Sequence, residues 1–131
     1  MTTYIDSSAA VKLLVNEAES AAVAAHVNQL GDKAIGLSAS CLLETELRRF
    51  AARADVPQVD VTGILDVVEL IEPDRMLFLE AGLLPGKHLR SLDALHTATA
   101  LRIEADEFLT YDGRQAEAAR SVGLQVVAPG R

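Results

Sequence analysis

Residues 107–127 read EFLTYDGRQAEAARSVGLQVV, and the way this stretch divides decides the fold. Glu107–Thr110 is a short apolar run with an aromatic and a β-branched residue, and it predicts a strand. Gly113–Val122 predicts a helix. Gly123 is a stop for that helix, and Leu124–Val127 predicts a last strand before Pro129-Gly130. A strand, a helix and a second strand in close succession argue for parallel pairing.

Working back toward the N-terminus, SLDALHTATA at 91–100 predicts a helix capped by Ser91. Leu92, Leu95, Thr99 and Ile103 share one face at helical spacing. Leu84-Pro85-Gly86-Lys87 is the strongest turn signal of the chain. A helix runs from Asp74 to about Leu84. Before it, Val67–Ile71 predicts a strand closed by Pro73, and a helix from about Val61 follows the Pro57-containing loop Asp55–Asp60. SCLLETELRRFAARA at 40–54 is the clearest amphipathic helix. Leu43, Leu47, Phe50, Ala51 and Ala54 form its stripe, Glu46 falls inside that arc, and Arg48, Arg49 and Arg53 cover the outer surface. Ser38 or Ser40 is its expected cap. Ala34–Leu37 predicts a strand. Ser8–Leu30 predicts a helix, with a break near Asn16, and Thr3–Ile5 a first strand ended by Asp6.

The predicted order is βαβα(α)βααβαβ. It implies an α/β fold with a mostly parallel sheet of four to five strands and helices on both faces. With 131 residues, no internal repeat and no long linker, a single domain over 1–131 is expected. Half the residues are hydrophobic but only 4% are aromatic, so Ala, Leu and Val fill the core. No apolar run reaches the roughly 18 residues needed to span a bilayer. MTTYIDSS lacks the basic start and apolar stretch of a signal peptide. Cys41 is the lone cysteine, which excludes an internal disulfide framework. A cytoplasmic location without membrane attachment is expected. The net charge of −7 argues against broad electrostatic affinity for nucleic acid. Any phosphate contact must be local, with Arg48, Arg49, Arg53, Lys87 and Arg90 as candidates.

Four acids stand beside apolar segments. In open α/β sheets ligands sit at the carboxyl ends of strands, where Asp6 ends the first strand and Asp112 follows the strand at 107–110. Asp6 also reads as a helix cap, and Asp112 with Gln115 as a capping box. Asp93 sits in a first helical turn, where the helix dipole favours it. Glu46 needs a partner, because a lone carboxylate in an apolar arc costs several kcal/mol. Together the four suit an oxygen-only site for Mg²⁺ or Mn²⁺. The scattered histidines and single Cys41 do not suit zinc. His96, on the apolar face of its helix, reads as a core histidine. Such a carboxylate set supports metal-assisted phosphodiester hydrolysis.

The chain resembles the PIN-domain ribonucleases, and within them the VapC-type toxins of bacterial toxin–antitoxin modules. YIDSSA at 4–9, ETELRR at 44–49, SLDALHTATA at 91–100 and LTYDGRQAEAA at 109–119 carry the resemblance, in the family's order, with GLQVVAPG at 123–130 behind them. It implies that Asp6, Glu46, Asp93 and Asp112 form the catalytic, metal-holding set. Ser7 and Thr110 would support it. It further implies Mg²⁺ or Mn²⁺ dependence, an RNA substrate such as tRNA or ribosomal RNA, homodimerisation, and inhibition by a VapB-type antitoxin. Two other readings use the same acids: a Mg²⁺-dependent phosphoacceptor signalling domain, and a non-catalytic acidic pocket that binds a basic partner. The first expects a lysine near the C-terminal strands, and none follows Lys87.

Overall fold

Strand β1 (Thr2–Ile5) is the centre of the structure, a computed structural model describing residues 1–131. Its Tyr4 and Ile5 are fully buried, as a strand covered on both faces requires. β1 pairs in parallel with β2 (Gly36–Ser40) on one side, Tyr4 opposite Ser38. On the other side it pairs with β4 (Glu107–Leu109), Tyr4 opposite Phe108 and Ile5 opposite Leu109. β3 (Glu69–Ile71) and β5 (Val126–Val127) form the edges, giving a five-stranded parallel sheet in the order β3-β2-β1-β4-β5. Successive strands step outward from β1 to β3, and the chain then returns to the far side of β1. The sheet therefore has its topological switch point between β1 and β4, the place where open α/β sheets form their crevice.

Seven helices cover the sheet: α1 (Ser7–Leu14), α2 (Ser20–Asp32), α3 (Leu42–Ala54), α4 (Gln58–Leu65), α5 (Arg75–Gly82), α6 (Ser91–Arg102) and α7 (Gly113–Ser121). The break expected near Asn16 within Ser8–Leu30 is present, and it separates two helices at 15–19. Ser20 Oγ donates to the Val15 carbonyl at 2.8 Å and accepts the Glu17 N–H at 2.8 Å, drawing the chain into a turn. β2 lies further along than Ala34–Leu37, because Ala34 takes a left-handed φ of 56°. Leu37, Ser38, Ala39 and Ser40 are its buried residues. Neither Ser38 nor Ser40 is the N-cap of α3, which is Cys41; Ser40 Oγ accepts the Leu42 N–H at 3.2 Å. α4 begins directly after Pro57, earlier than the expected Val61, since proline fixes the φ that precedes a first turn.

On α3, Leu43, Leu47 and Ala51 are buried as the stripe predicts, whereas Ala54, in the last turn, is exposed. α6 departs most from its expected pattern. Its cap position is Arg90 rather than Ser91, and Leu92 is exposed. Residues 94–100 are buried around the whole helix. A helix enclosed on all sides has no single apolar stripe to reveal it.

Two apolar clusters hold these layers. The larger joins Tyr4, Ile5, Phe108 and Leu109 of the sheet to Leu43, Leu47 and Ala51 of α3. The smaller packs Leu77 and Ala81 of α5 against Ala94, Leu95 and Ala98 of α6. Each fully buried large side chain contributes about 1.5–3 kcal/mol. α6 is thereby fixed beside the carboxyl edge of the central strands.

Candidate active site

Asp6 leaves β1 and caps α1. Its Oδ1 accepts the Ala9 N–H at 3.2 Å and the Ser8 hydroxyl at 2.7 Å, and its Oδ2 accepts the Thr110 hydroxyl at 2.5 Å. The cap reading and the site reading of Asp6 are thus compatible. The side chain is only 4% exposed. Burial raises its pKa, and the Thr110 and Ser8 hydrogen bonds oppose that rise.

Thr110 ties two acids together. Besides holding Asp6, its Oγ1 accepts the Asp112 N–H at 3.1 Å. Asp112 caps α7, with Oδ1 accepting the N–H groups of Arg114 and Gln115 at 2.9 and 3.3 Å. The expected capping box is only half formed. The Gln115 side chain turns inward and accepts the Thr97 hydroxyl at 3.1 Å instead of reaching back to Asp112.

Glu46 projects from α3 and both its oxygens are engaged. Oε1 lies 2.6 Å from His96 Nε2, and Oε2 accepts the Ser7 hydroxyl at 3.3 Å. Ser7 therefore steadies Glu46 and not Asp6, while Ser8 takes the place beside Asp6. Consecutive residues on a helix are turned by about 100° from one another, so the swap follows from geometry. Glu44, two residues earlier on α3, is paired with Arg48 at 2.9 Å.

Asp93 lies in the first turn of α6, half-buried. Together with Arg90, Asp112, Gly113, Arg114 and Glu117 it lines a cleft of about 570 Å³. Burial raises its pKa, and the carboxylates of Asp112 and Glu46 push in the same direction against His96 and Arg90. The four acids thus come from four elements to one neighbourhood at the switch point of the sheet. Their side chains do not close on a single point: no three acid, histidine or cysteine side chains are gathered tightly enough to hold a metal ion directly. The hydroxyls and His96 hold Asp6 and Glu46 in place instead. An all-oxygen donor set with mutually repelling charges fits a hard divalent cation, and Mg²⁺ commonly keeps several of its waters.

The expected basic residues divide. Arg90 lines the cleft. Lys87 lines an adjoining depression of about 470 Å³ with His88 and Arg114. Arg49 and Arg53, at i+3 and i+7 from Glu46, are exposed on α3. Arg48 is occupied with Glu44, Gln58 and Thr62 in the α3–α4 contact, which makes it a poor phosphate ligand. Arg114 borders both cavities and was missed, because nothing in a helix-starting Gly-Arg-Gln signals a neighbouring acid cleft.

The PIN domain family profile matches residues 3–121. Ribonuclease VapC46 of Mycobacterium tuberculosis is 37% identical over 130 residues, 96% of each chain. Ribonuclease VapC35 of the same species is 38% identical over 135 residues, covering 98% of this chain and 97% of that one. Among solved structures, VapC20 of M. tuberculosis, a sarcin-ricin-loop-cleaving toxin, aligns with a TM-score of 0.73 at 16% identity over 97% of this chain and 99% of its own. VapBC2 from Rickettsia felis, bound to a promoter DNA fragment, aligns at 0.77 with 15% identity over 98% and 99%. These two share the fold. With a family match across nearly all of its length and VapC relatives above a third identical, the chain belongs to the PIN-domain family of VapC ribonucleases.

Proposed function

We infer that residues 1–131 form one PIN domain that acts as a divalent-cation-dependent endoribonuclease toxin. One observation carries the reading: Asp6, Glu46, Asp93 and Asp112 arrive from separate elements at the crevice between β1 and β4. Asp6, Glu46 and Asp93 would hold Mg²⁺ or Mn²⁺ directly or through water, with Asp112 assisting. When bound, the cation supplies a stronger water nucleophile and offsets charge on the scissile phosphodiester. The chain's own residues do the rest. Thr110 and Ser8 fix the Asp6 carboxylate, Ser7 fixes Glu46, and Arg90 and Arg114 face the RNA backbone at the cleft.

The substrate class and a VapB-type antitoxin are inferred from the relatives' names and from the VapBC2 neighbour. A partner-covered surface is supported by exposed Met76, Phe78, Leu79 and Leu83 around α5, with Leu92 on α6. We extend this to homodimerisation. No helix is long and apolar enough to cross a membrane, in keeping with the cytoplasmic location proposed.

Antitoxin-free protein should cleave a defined RNA in Mg²⁺ or Mn²⁺ and stop when chelator is added. Asp6→Asn and Asp93→Asn should each lose at least about 100-fold in rate, a barrier change of about 2.7 kcal/mol. Parent-like cleavage by both variants would sink the mechanism.

A further inference from the structure

Glu46 is a long side chain on a helix, 22% exposed. Left free, it would sample several rotamers and reach solvent. His96 prevents this. Its ring is 1% exposed and its Nε2 lies 2.6 Å from Glu46 Oε1. Its other nitrogen, Nδ1, lies 2.5 Å from the hydroxyl of Tyr4, which is fully buried on β1. The Tyr4 oxygen also accepts the Ser40 N–H at 2.9 Å.

The Tyr4 oxygen receives the Ser40 N–H and still has its own proton to give to His96 Nδ1. An accepting Nδ1 leaves the proton of the neutral ring on Nε2, aimed at the carboxylate. The Tyr4 ring is fixed in turn, stacked on Phe108 with centroids 5.0 Å apart and edge-on to His96 at 5.7 Å. A continuous chain of donors therefore runs from the backbone of β2, through β1 and α6, to an acid on α3.

We propose that Tyr4 and His96 are positioning residues that hold Glu46 in its cation-binding orientation through the Ser40–Tyr4–His96–Glu46 hydrogen-bond chain. The proposal rests on the reading of Glu46 as a cation ligand. A core histidine kept only for packing would need its two nitrogens satisfied. It would not need one of them spent on a functional carboxylate from another element. Hydrogen-bond partners of metal-holding carboxylates change affinity by about 10- to 100-fold when removed.

The test is Mn²⁺ binding by calorimetry on Glu46→Gln, His96→Met, His96→Gln and Tyr4→Phe, each with a thermal melt and RNA kinetics. His96→Met fills the space without a donor, whereas His96→Gln restores an N–H near the Nε2 place. Mn²⁺ affinity should fall about 10- to 100-fold in His96→Met, recover substantially in His96→Gln, and fall less in Tyr4→Phe. Loss of kcat should follow loss of Mn²⁺ affinity, with KM for RNA close to the parent's. If Glu46→Gln binds Mn²⁺ like the parent, the ligand reading fails and this proposal with it. If Glu46→Gln binds weakly while folded His96→Met binds like the parent, the positioning role alone is overturned. Should His96→Met not fold, parent-like binding by Tyr4→Phe overturns the role equally.

Discussion

Asp93 shows most plainly how folding and chemistry pull against each other at a single residue. It is half-buried, lies near the like charges of Asp112 and Glu46, and has its pKa raised first by burial and then by that repulsion. A carboxyl pushed up in this way disfavours the folded state while it is ionised. The neutral isostere Asn removes that penalty, so Asp93→Asn should melt a few degrees above the parent in chelator. The gain should stay under about 1 kcal/mol because the group keeps contact with solvent. Saturating Mg²⁺ should reverse the order. A ligand at 100 times its dissociation constant stabilises by about 2.7 kcal/mol, and the parent alone should receive that in full. Equal Mg²⁺ shifts in both proteins would remove Asp93 from the proposed ligand set. The positions of Asp6, Asp93 and Asp112 at a strand end or a helix start, and of Glu46 inside an apolar arc, were legible in the sequence because pattern alone identifies them. The duties of Ser7, Ser8 and His96 were not, since each depends on which side chain of another element lies opposite. His96 is satisfied in the core as its apolar face implied, yet its partner Glu46 is 50 residues away.

The junction of α1 and α2 carries the same lesson for whole elements. Val11 and Leu14 of α1 and Val27 of α2 pack against the same apolar cluster, so apolar content alone does not separate the two helices. What breaks the helix is partly remote. Lys12 Nζ sits 2.8 Å from Glu17 and 3.0 Å from Glu19, and Arg131 reaches Glu19 at 2.8 Å from the far end of the chain. Lys12 and Arg131 also lie against the Tyr111 ring, 4.8 and 5.2 Å from its centroid. The edge strands were harder to place for a related reason. β3 and β5 are short, and their ends depend on a neighbour's hydrogen bonds. The strap at 15–19 makes a prediction about acid. Arg131 first, then Lys12, holds the Glu19 carboxyl below its usual range. A depressed carboxyl contributes stability above its unfolded value, about 4.3, and loses it as pH falls through the folded one. The melting temperature should therefore drop more steeply below about pH 4.3 in the parent than in Glu19→Gln. Parallel pH curves for the two would show that the strap adds nothing to stability.

For the molecule as a whole, a net charge of −7 has to be reconciled with the proposed RNA substrate. The fold does so by segregation. Acids gather at the crevice, and Lys87, Arg90 and Arg114 stand along its rim with His88. Arg48 looked equivalent in the sequence, but its guanidinium is committed to Glu44, Gln58 and Thr62. On the proposed reading, RNA contact depends on where the basic groups stand rather than on the summed charge. In a cleavage-inactive Asp6→Asn background, RNA affinity measured against salt should separate the two groups. Each phosphate contact to single-stranded RNA contributes about 0.7 to the slope of log affinity against log salt. Lys87→Ala and Arg114→Ala should each lower that slope by roughly this amount and weaken binding. Arg48→Ala should leave the slope unchanged and lower the melting temperature instead, because it frees the α3–α4 contact. A slope lost with Arg48 and kept without Lys87 and Arg114 would move the RNA path off the crevice rim and onto the outer face of α3.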